Sequence, residues 1–141
     1  MIGGPPATGK STLAAALAPR LGAALLDLDV ATGPLTRVVS GLVLVAPFST
    51  ERADPSAWAT TTRRLEAEPT LVWLHLPPDE LVRRLTRRAE ARDENKIRDP
   101  ASLLTSLDLA PPAVPHLPLD ASHPPATLLQ SVLTHLSHPA S

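Results

Sequence analysis

The chain has 141 residues, 43% of them hydrophobic, which is enough for one domain, 1–141, with a packed core. Its 13 basic and 14 acidic side chains leave a net charge of −1, so we do not expect a nucleic-acid backbone as its partner. Cysteine is absent, which excludes disulfides and thiolate metal sites. Neither a signal peptide nor a run of roughly 18 apolar residues is present, so we expect a cytoplasmic protein without a membrane partner.

Apolar runs alternate with helical patterns along the chain. We expect a short buried strand over 23–28 and further strands over 42–45, 70–76 and 116–119. A strand is also expected ahead of the first glycines, where only Ile2 remains. Helices are predicted over 11–21, 55–68, 79–92 and 124–136, with Gly22 closing the first and a short helix near 100–107. Apolar strands alternating with helices are typical of an α/β fold, a parallel sheet with helices on both faces.

The segment GPPATGKS, from Gly4 to Ser11, matches G-x-x-x-x-G-K-S/T and opens the first predicted helix. A polyphosphate needs many donors directed at one small volume, and successive backbone N–H groups at a helix N-terminus supply them. Pro5 and Pro6 have no N–H group. The predicted phosphate-binding residues are Gly4, Ala7, Thr8, Gly9, Lys10, Ser11 and Thr12. The alternative is a glycine-proline turn beside an ordinary surface lysine.

Three segments together resemble the small P-loop kinases of the nucleoside/nucleotide-kinase-like group, which include zeta-toxin-like kinases. GGPPATGKSTLAAALAPRLGAALLDLD is similar to their opening, LVWLHLPPDELVRRLTRRAEARDENK to their fourth strand, helix and lid, and HLPLDASHPPATLLQSVLTHL to their last strand and helix. The resemblance implies a P-loop NTPase architecture, here reduced in size. It also implies ATP and Mg²⁺ as cofactors and a small-molecule hydroxyl as the acceptor of the γ-phosphate.

In such kinases an aspartate at the end of the second strand lies near the acceptor hydroxyl, and Asp29 matches that position. Asp27 precedes it on the same strand face. The resemblance therefore implies Asp29 as the catalytic base, and Ser11 with Asp27 as the Mg²⁺ ligands. The alternative is a pair of strand-end carboxylates or a helix cap.

Arginines follow one another along the helix predicted over 79–92, and a lid-like segment is expected over about 83–100. Arg84, Arg88 and Arg92 are spaced four residues apart, beside the apolar face of that helix. A guanidinium there can stabilise the charge of the transferred phosphoryl group. We expect Arg88 or Arg92 to contact phosphate, with Lys10 and Asp29 completing the catalytic set. A solvated helix face paired with Asp79 or Glu80 is the alternative.

Three features depart from the kinase pattern. The strand before the phosphate loop keeps only Met1 and Ile2, and only residues 30–41 separate the second and third strands. Val45 and Ala46 stand where a Walker B aspartate is often found. These departures leave open a non-catalytic nucleotide-binding remnant and, with less support, an AAA+ type ATPase.

Other side chains have simpler interpretations. Trp58 and Trp73 are predicted to fill the core rather than to stack on a base. The five histidines lack the spacing of a zinc site. Asp120 ends the last predicted strand, where it can cap the turn that follows.

Overall fold

Five parallel strands form one sheet in the order β2-β3-β1-β4-β5. The computed structural model describes residues 1–27, 41–65, 67–92, 104 and 107–138, and the side chains of 89–92 lie outside that description. The strands are β1 Ile2–Gly3, β2 Ala24–Asp27, β3 Leu42–Val45, β4 Val72–His75 and β5 Leu117–Asp120. The helices are α1 Lys10–Leu21, α2 Pro55–Leu65, α3 Pro78–Arg92 and α4 Pro125–Ser137. The short helix expected over 100–107 falls mostly outside the described residues.

Helices cover both faces of the sheet, as the sequence predicts. Side chains alternate along a strand, so Val43 and Val45 lie on one face and Leu44 on the other. Val43 and Val45 belong to the larger core cluster, which α1 and α4 complete through residues such as Leu13 and Val132. Leu44 packs against a second cluster that includes Trp58 of α2. The architecture is therefore α/β with a two-sided core.

Strand β2 is less buried than its apolar sequence suggests. It lies at the edge of the sheet, and Leu25 is 39% exposed. Only Asp27, its last residue, is buried. The expectation of a buried strand over 23–28 is wrong for this reason: an edge strand has a neighbour on one side only, which a local apolar pattern does not report.

Strand β1 is short but central. Ile2 pairs with Val45 on one side and with Val72 on the other, and its side chain is 1% exposed. Met1 continues the ladder, because Val72 donates its N–H to the Met1 carbonyl at 2.8 Å. The Met1 amino group donates to the Thr70 carbonyl at 2.7 Å. These two residues with Gly3 therefore bridge the halves of the sheet.

Burial of the Met1 amino group predicts a pH-dependent stability. Desolvation lowers the pKa of this group from 8.0 to about 6. Between pH 6 and 8 the unfolded chain binds more protons there than the folded chain does, so the free energy of unfolding rises with pH in that window. A shift of two pKa units corresponds to a gain of about 2–3 kcal/mol. Urea unfolding at pH 6 and pH 8 measures this difference in the free energy of unfolding.

The matched control is the same chain with an acetylated amino terminus, which cannot titrate. The two chains differ at no other group, so the difference between the two pH slopes isolates Met1. Identical slopes would contradict a desolvated amino group.

Candidate phosphate-binding site

The loop between β1 and α1 has a backbone that follows from its sequence. Gly4 has φ 144°, and a Cβ there would lie 2.4 Å from the Leu74 carbonyl oxygen, so only glycine fits. Gly9 has φ 87°, and a Cβ there would meet nothing within 4 Å. Ala7 adopts φ 61°, a left-handed conformation that costs a non-glycine residue about 1–2 kcal/mol. Such strain concentrates at functional sites.

Left-handed residues among right-handed ones direct successive N–H groups into one concavity. Within the part of the chain that the structure describes, the N–H groups of Ala7, Thr8, Gly9, Ser11 and Thr12 donate to no backbone or side-chain oxygen. Helix α1 starts beside them with Gly9 as N-cap, without a side-chain cap and without an acidic residue in its first turn. The positive end of the helix dipole therefore has no anionic partner from this first turn.

Lys10 is not a surface lysine. Its side chain is buried, with the residue 9% exposed, and Nζ donates to the Gly4 carbonyl at 3.1 Å and the Pro5 carbonyl at 2.9 Å. The ammonium thus lies within the loop rather than in solvent. This contradicts the alternative of a glycine-proline turn beside an exposed lysine.

The position of Thr8 in the motif predicts a phosphate-binding residue, but its hydroxyl bonds within the loop. Its hydroxyl donates to the Pro5 carbonyl at 2.8 Å, and the residue is 2% exposed. The side chain therefore stabilises the turn from inside. The N–H is therefore the donor of Thr8 that is left for a ligand.

Ser11 and Asp27 come together although 16 residues separate them. The Ser11 hydroxyl donates to Oδ2 of Asp27 at 2.5 Å. Asp27 is 9% exposed and ends β2, while its register partner Val45 ends β3. No group of three or more histidine and acidic side chains within the described residues could hold a metal. One carboxylate and one hydroxyl fit Mg²⁺, which takes few protein ligands and keeps water and phosphate oxygens.

The remaining predicted catalytic residues are only partly described. Asp29 lies outside the described residues, and so does the side chain of Arg92. Arg88 is exposed on α3 and has no ion pair among the described residues. The roles of these three residues therefore stay predictions.

The first two arginines of α3 serve the fold. Glu80 pairs with Arg83 and accepts from Nε of Arg84 at 2.8 Å. Arg84 also donates to the Ala121 carbonyl at 2.9 Å, which ties α3 to the turn after β5. The pairing with Glu80 thus holds for both arginines, but only Arg83 lies on a solvated face, since Arg84 is half-buried.

Sequence reasoning missed Arg52, which lies in the connection between β3 and α2. It is 6% exposed, pairs with the Asp108 carboxylate and donates to the Ala110 carbonyl at 2.9 Å. Its guanidinium lies 5.1 Å from the ring centroid of Trp73. The N–H of Ala110, followed by Arg52, holds the pKa of Asp108 below its usual value. No pattern in the sequence predicts the burial of this arginine, because the carbonyl groups that accept from it belong to residues 56–58 positions away along the chain.

Two of the simpler predictions are confirmed. Trp73 is 3% exposed and belongs to the interior, whereas Trp58 is half-buried and packs against the second core cluster. Asp120 accepts from the Ser122 hydroxyl at 2.6 Å and the Ser122 N–H at 2.8 Å, and these two bonds lower its pKa. The carboxylate therefore caps the turn after β5, as expected.

Solved structures match this fold over nearly the whole chain. A gluconokinase from Sinorhizobium meliloti is 17% identical with a TM-score of 0.67, over 96% of this chain and 89% of that one. A sugar kinase from Janibacter sp. is 20% identical with a TM-score of 0.59, over 98% and 93%. A shikimate kinase from Aquifex aeolicus is 14% identical with a TM-score of 0.52, over 96% and 94%. The fold is that of the small P-loop kinases.

No protein-family model matches the chain. No curated protein matches it either. Among the described residues, no helix combines the length and the apolar character that crossing a bilayer requires.

Proposed function

We propose that the chain binds ATP and transfers its γ-phosphate to a hydroxyl of a small molecule. The observation that supports this most directly is a loop whose N–H groups have no acceptor among the described residues, beside a buried lysine held by carbonyls of the same loop. A loop of this kind at a helix N-terminus suits the phosphates of a nucleotide. The kinase fold of the similar structures agrees with the proposal.

Lys10 and the loop amides bind the phosphates in this proposal. The Lys10 ammonium exchanges its contacts with the Gly4 and Pro5 carbonyls for phosphate oxygens. A charge-assisted bond to phosphate is stronger than one to a neutral carbonyl, which favours the exchange. The space over Gly9, open because it has no side chain, lets phosphate oxygens reach the backbone.

Ser11 and Asp27 would hold Mg²⁺, since their oxygen atoms already lie side by side at the end of β2. When bound, the ion would supply positive charge that offsets the negative charge of the phosphates. Val45 and Ala46, at the end of β3, carry no carboxylate. Asp27 is therefore proposed to take the place of the Walker B aspartate.

Asp29 is the proposed base, and Arg88 and Arg92 are the proposed lid residues. The acceptor oxygen forms a bond to the γ-phosphorus as the bond from that phosphorus to the β,γ-bridging oxygen breaks. The hydroxyl proton passes to the Asp29 carboxylate, and ADP leaves. We propose a single domain, 1–141, whose lid spans about 83–100 and which acts in the cytoplasm.

A screen of small hydroxyl compounds for ADP release tests the reaction. The wild type is expected to release ADP when ATP, Mg²⁺ and one acceptor class are all present. Asp27→Asn is expected to raise the Mg²⁺ concentration needed for half-maximal ATP binding by about ten-fold, because a neutral amide binds the cation less strongly than a carboxylate. Asp29→Asn is expected to keep ATP affinity and to lose acceptor-dependent release.

Asp54→Asn is the control, since Asp54 is an exposed carboxylate that accepts from Ser56 at the start of α2, remote in sequence from the phosphate loop. An unchanged Mg²⁺ requirement in Asp27→Asn would remove Asp27 from the metal site. ATP binding without release for any acceptor would favour the non-catalytic remnant.

A further inference from the structure

A cavity of about 690 Å³ opens at the amino edge of the sheet, opposite the phosphate loop. Met1, Leu42 and Val72 stand at or just before the starts of their strands, and all three line it. Around them stand the end of α1, the end of α2 and the end of α4. These helices contribute Leu17, Leu21, Leu65, Val132 and Leu136. We call this space the amino-edge cavity.

Partly exposed leucines converge on the amino-edge cavity. Among the described residues, the large apolar side chains with high exposure are Leu21 at 36%, Leu25 at 39%, Leu65 at 38% and Leu136 at 37%. Three of these four line the cavity, and Leu25 does not. Single exposed leucines are common on protein surfaces, but their convergence on one concave site is not.

The polar groups that line the cavity require few hydrogen bonds or charges from a ligand. The Met1 amino group and the Thr70 carbonyl bond to each other at 2.7 Å. Burial lowers the pKa of that amino group to about 6, so it is mostly neutral at pH 7. The carboxylate that lines the cavity belongs to Glu68, an exposed residue. A negatively charged ligand would therefore find no compensating cation among these groups.

We propose that the amino-edge cavity binds an uncharged apolar small molecule, such as one built on a hydrocarbon chain or ring system. Its volume falls within the range of about 300–1,000 Å³ of small-molecule sites. Apolar walls hold water poorly, and a far smaller apolar cavity, of about 150 Å³, already stays dry and takes up benzene. Burial of the ligand and of the three leucines removes apolar surface from water.

A second copy of the chain is a poor occupant of this space. A two-fold dimer brings the same patch of each subunit against its copy. Here that arrangement would set one concave cleft against another and leave both unfilled. A small molecule fills the cleft without that restriction.

Titration with N-phenylnaphthylamine, an uncharged apolar fluorophore, tests the proposal on the intact chain. We expect saturable binding with one site per chain, and displacement by dodecanol. Leu21→Trp and Leu136→Trp place an indole in the cavity from two different helices and are each expected to weaken binding by about ten-fold or more. Leu25→Trp is the matched control, because Leu25 is equally exposed but lies outside the cavity.

Three outcomes would overturn the proposal. One is the absence of saturable binding, and another is an equal loss of binding in Leu25→Trp. The third is sedimentation showing a wild-type dimer that Leu21→Trp converts to monomer, which would assign the cavity to a second copy. Near-ultraviolet circular dichroism identifies any variant that is not folded, and the other cavity variant then provides the result. The experiment uses no ATP, so its failure leaves the proposed phosphotransfer untouched.

Discussion

Lys10→Met is expected to weaken ATP binding by about 100-fold, which corresponds to about 2.7 kcal/mol. The wild-type ammonium is held within the loop by two carbonyls. It is the cation nearest in sequence to the loop N–H groups that have no acceptor among the described residues. A hydrogen bond to a charged group contributes about 1.5–3 kcal/mol, and this ammonium can contact two phosphates. Methionine has a similar length but no charge. Isothermal calorimetry with ATP, with and without Mg²⁺, measures the change.

Arg20→Met is the matched control, because Arg20 is an exposed cation in the last turn of the same helix. It removes the same charge from α1 without touching the loop, and its ATP affinity is expected to stay within about two-fold of wild type. Adenosine provides a second comparison, since it has no phosphates and should bind both variants alike. If Lys10→Met binds ATP as tightly as Arg20→Met does, the phosphate loop is not the nucleotide site.

Gly4→Ala is expected to destabilise the fold by about 3–4 kcal/mol, near the upper end for single substitutions. A Cβ at this position would lie 2.4 Å from the Leu74 carbonyl oxygen. That oxygen belongs to the backbone of the buried strand β4, so it cannot move aside as a flexible side chain would. Urea unfolding followed by circular dichroism measures the loss.

Gly9→Ala is the comparison variant for Gly4→Ala. Its Cβ would meet nothing within 4 Å, so only the backbone conformation is strained, at about 1–2 kcal/mol. The variant should fold and yet bind ATP more weakly, because its methyl group enters the space proposed for phosphate oxygens. Equal stability losses for the two glycine variants would contradict the packing at Gly4. Full ATP affinity in Gly9→Ala would contradict the position of the phosphates.

Local patterns were sufficient for most of the fold. Leucine and alanine spacing located α1, and Gly22 closes it with φ 59°, as predicted. The strand predicted over 42–45 has the observed bounds. These features depend on neighbours a few residues away, and a linear sequence records such neighbours directly. The exposure of β2 could not be predicted in this way, because it depends on strand order.

The candidate site also combines features that depend on local sequence with contacts that depend on tertiary packing. The glycine, lysine and serine spacing by itself determined that a loop with positive-φ residues opens α1, because backbone conformation there depends on residue type. Only the tertiary structure decided that Ser11 meets Asp27 and that Arg52 is buried against Trp73. It also decided that leucines from three helices converge at the amino edge. Such contacts join side chains distant along the chain, and only the packing of the sheet and helices brings them within bonding range.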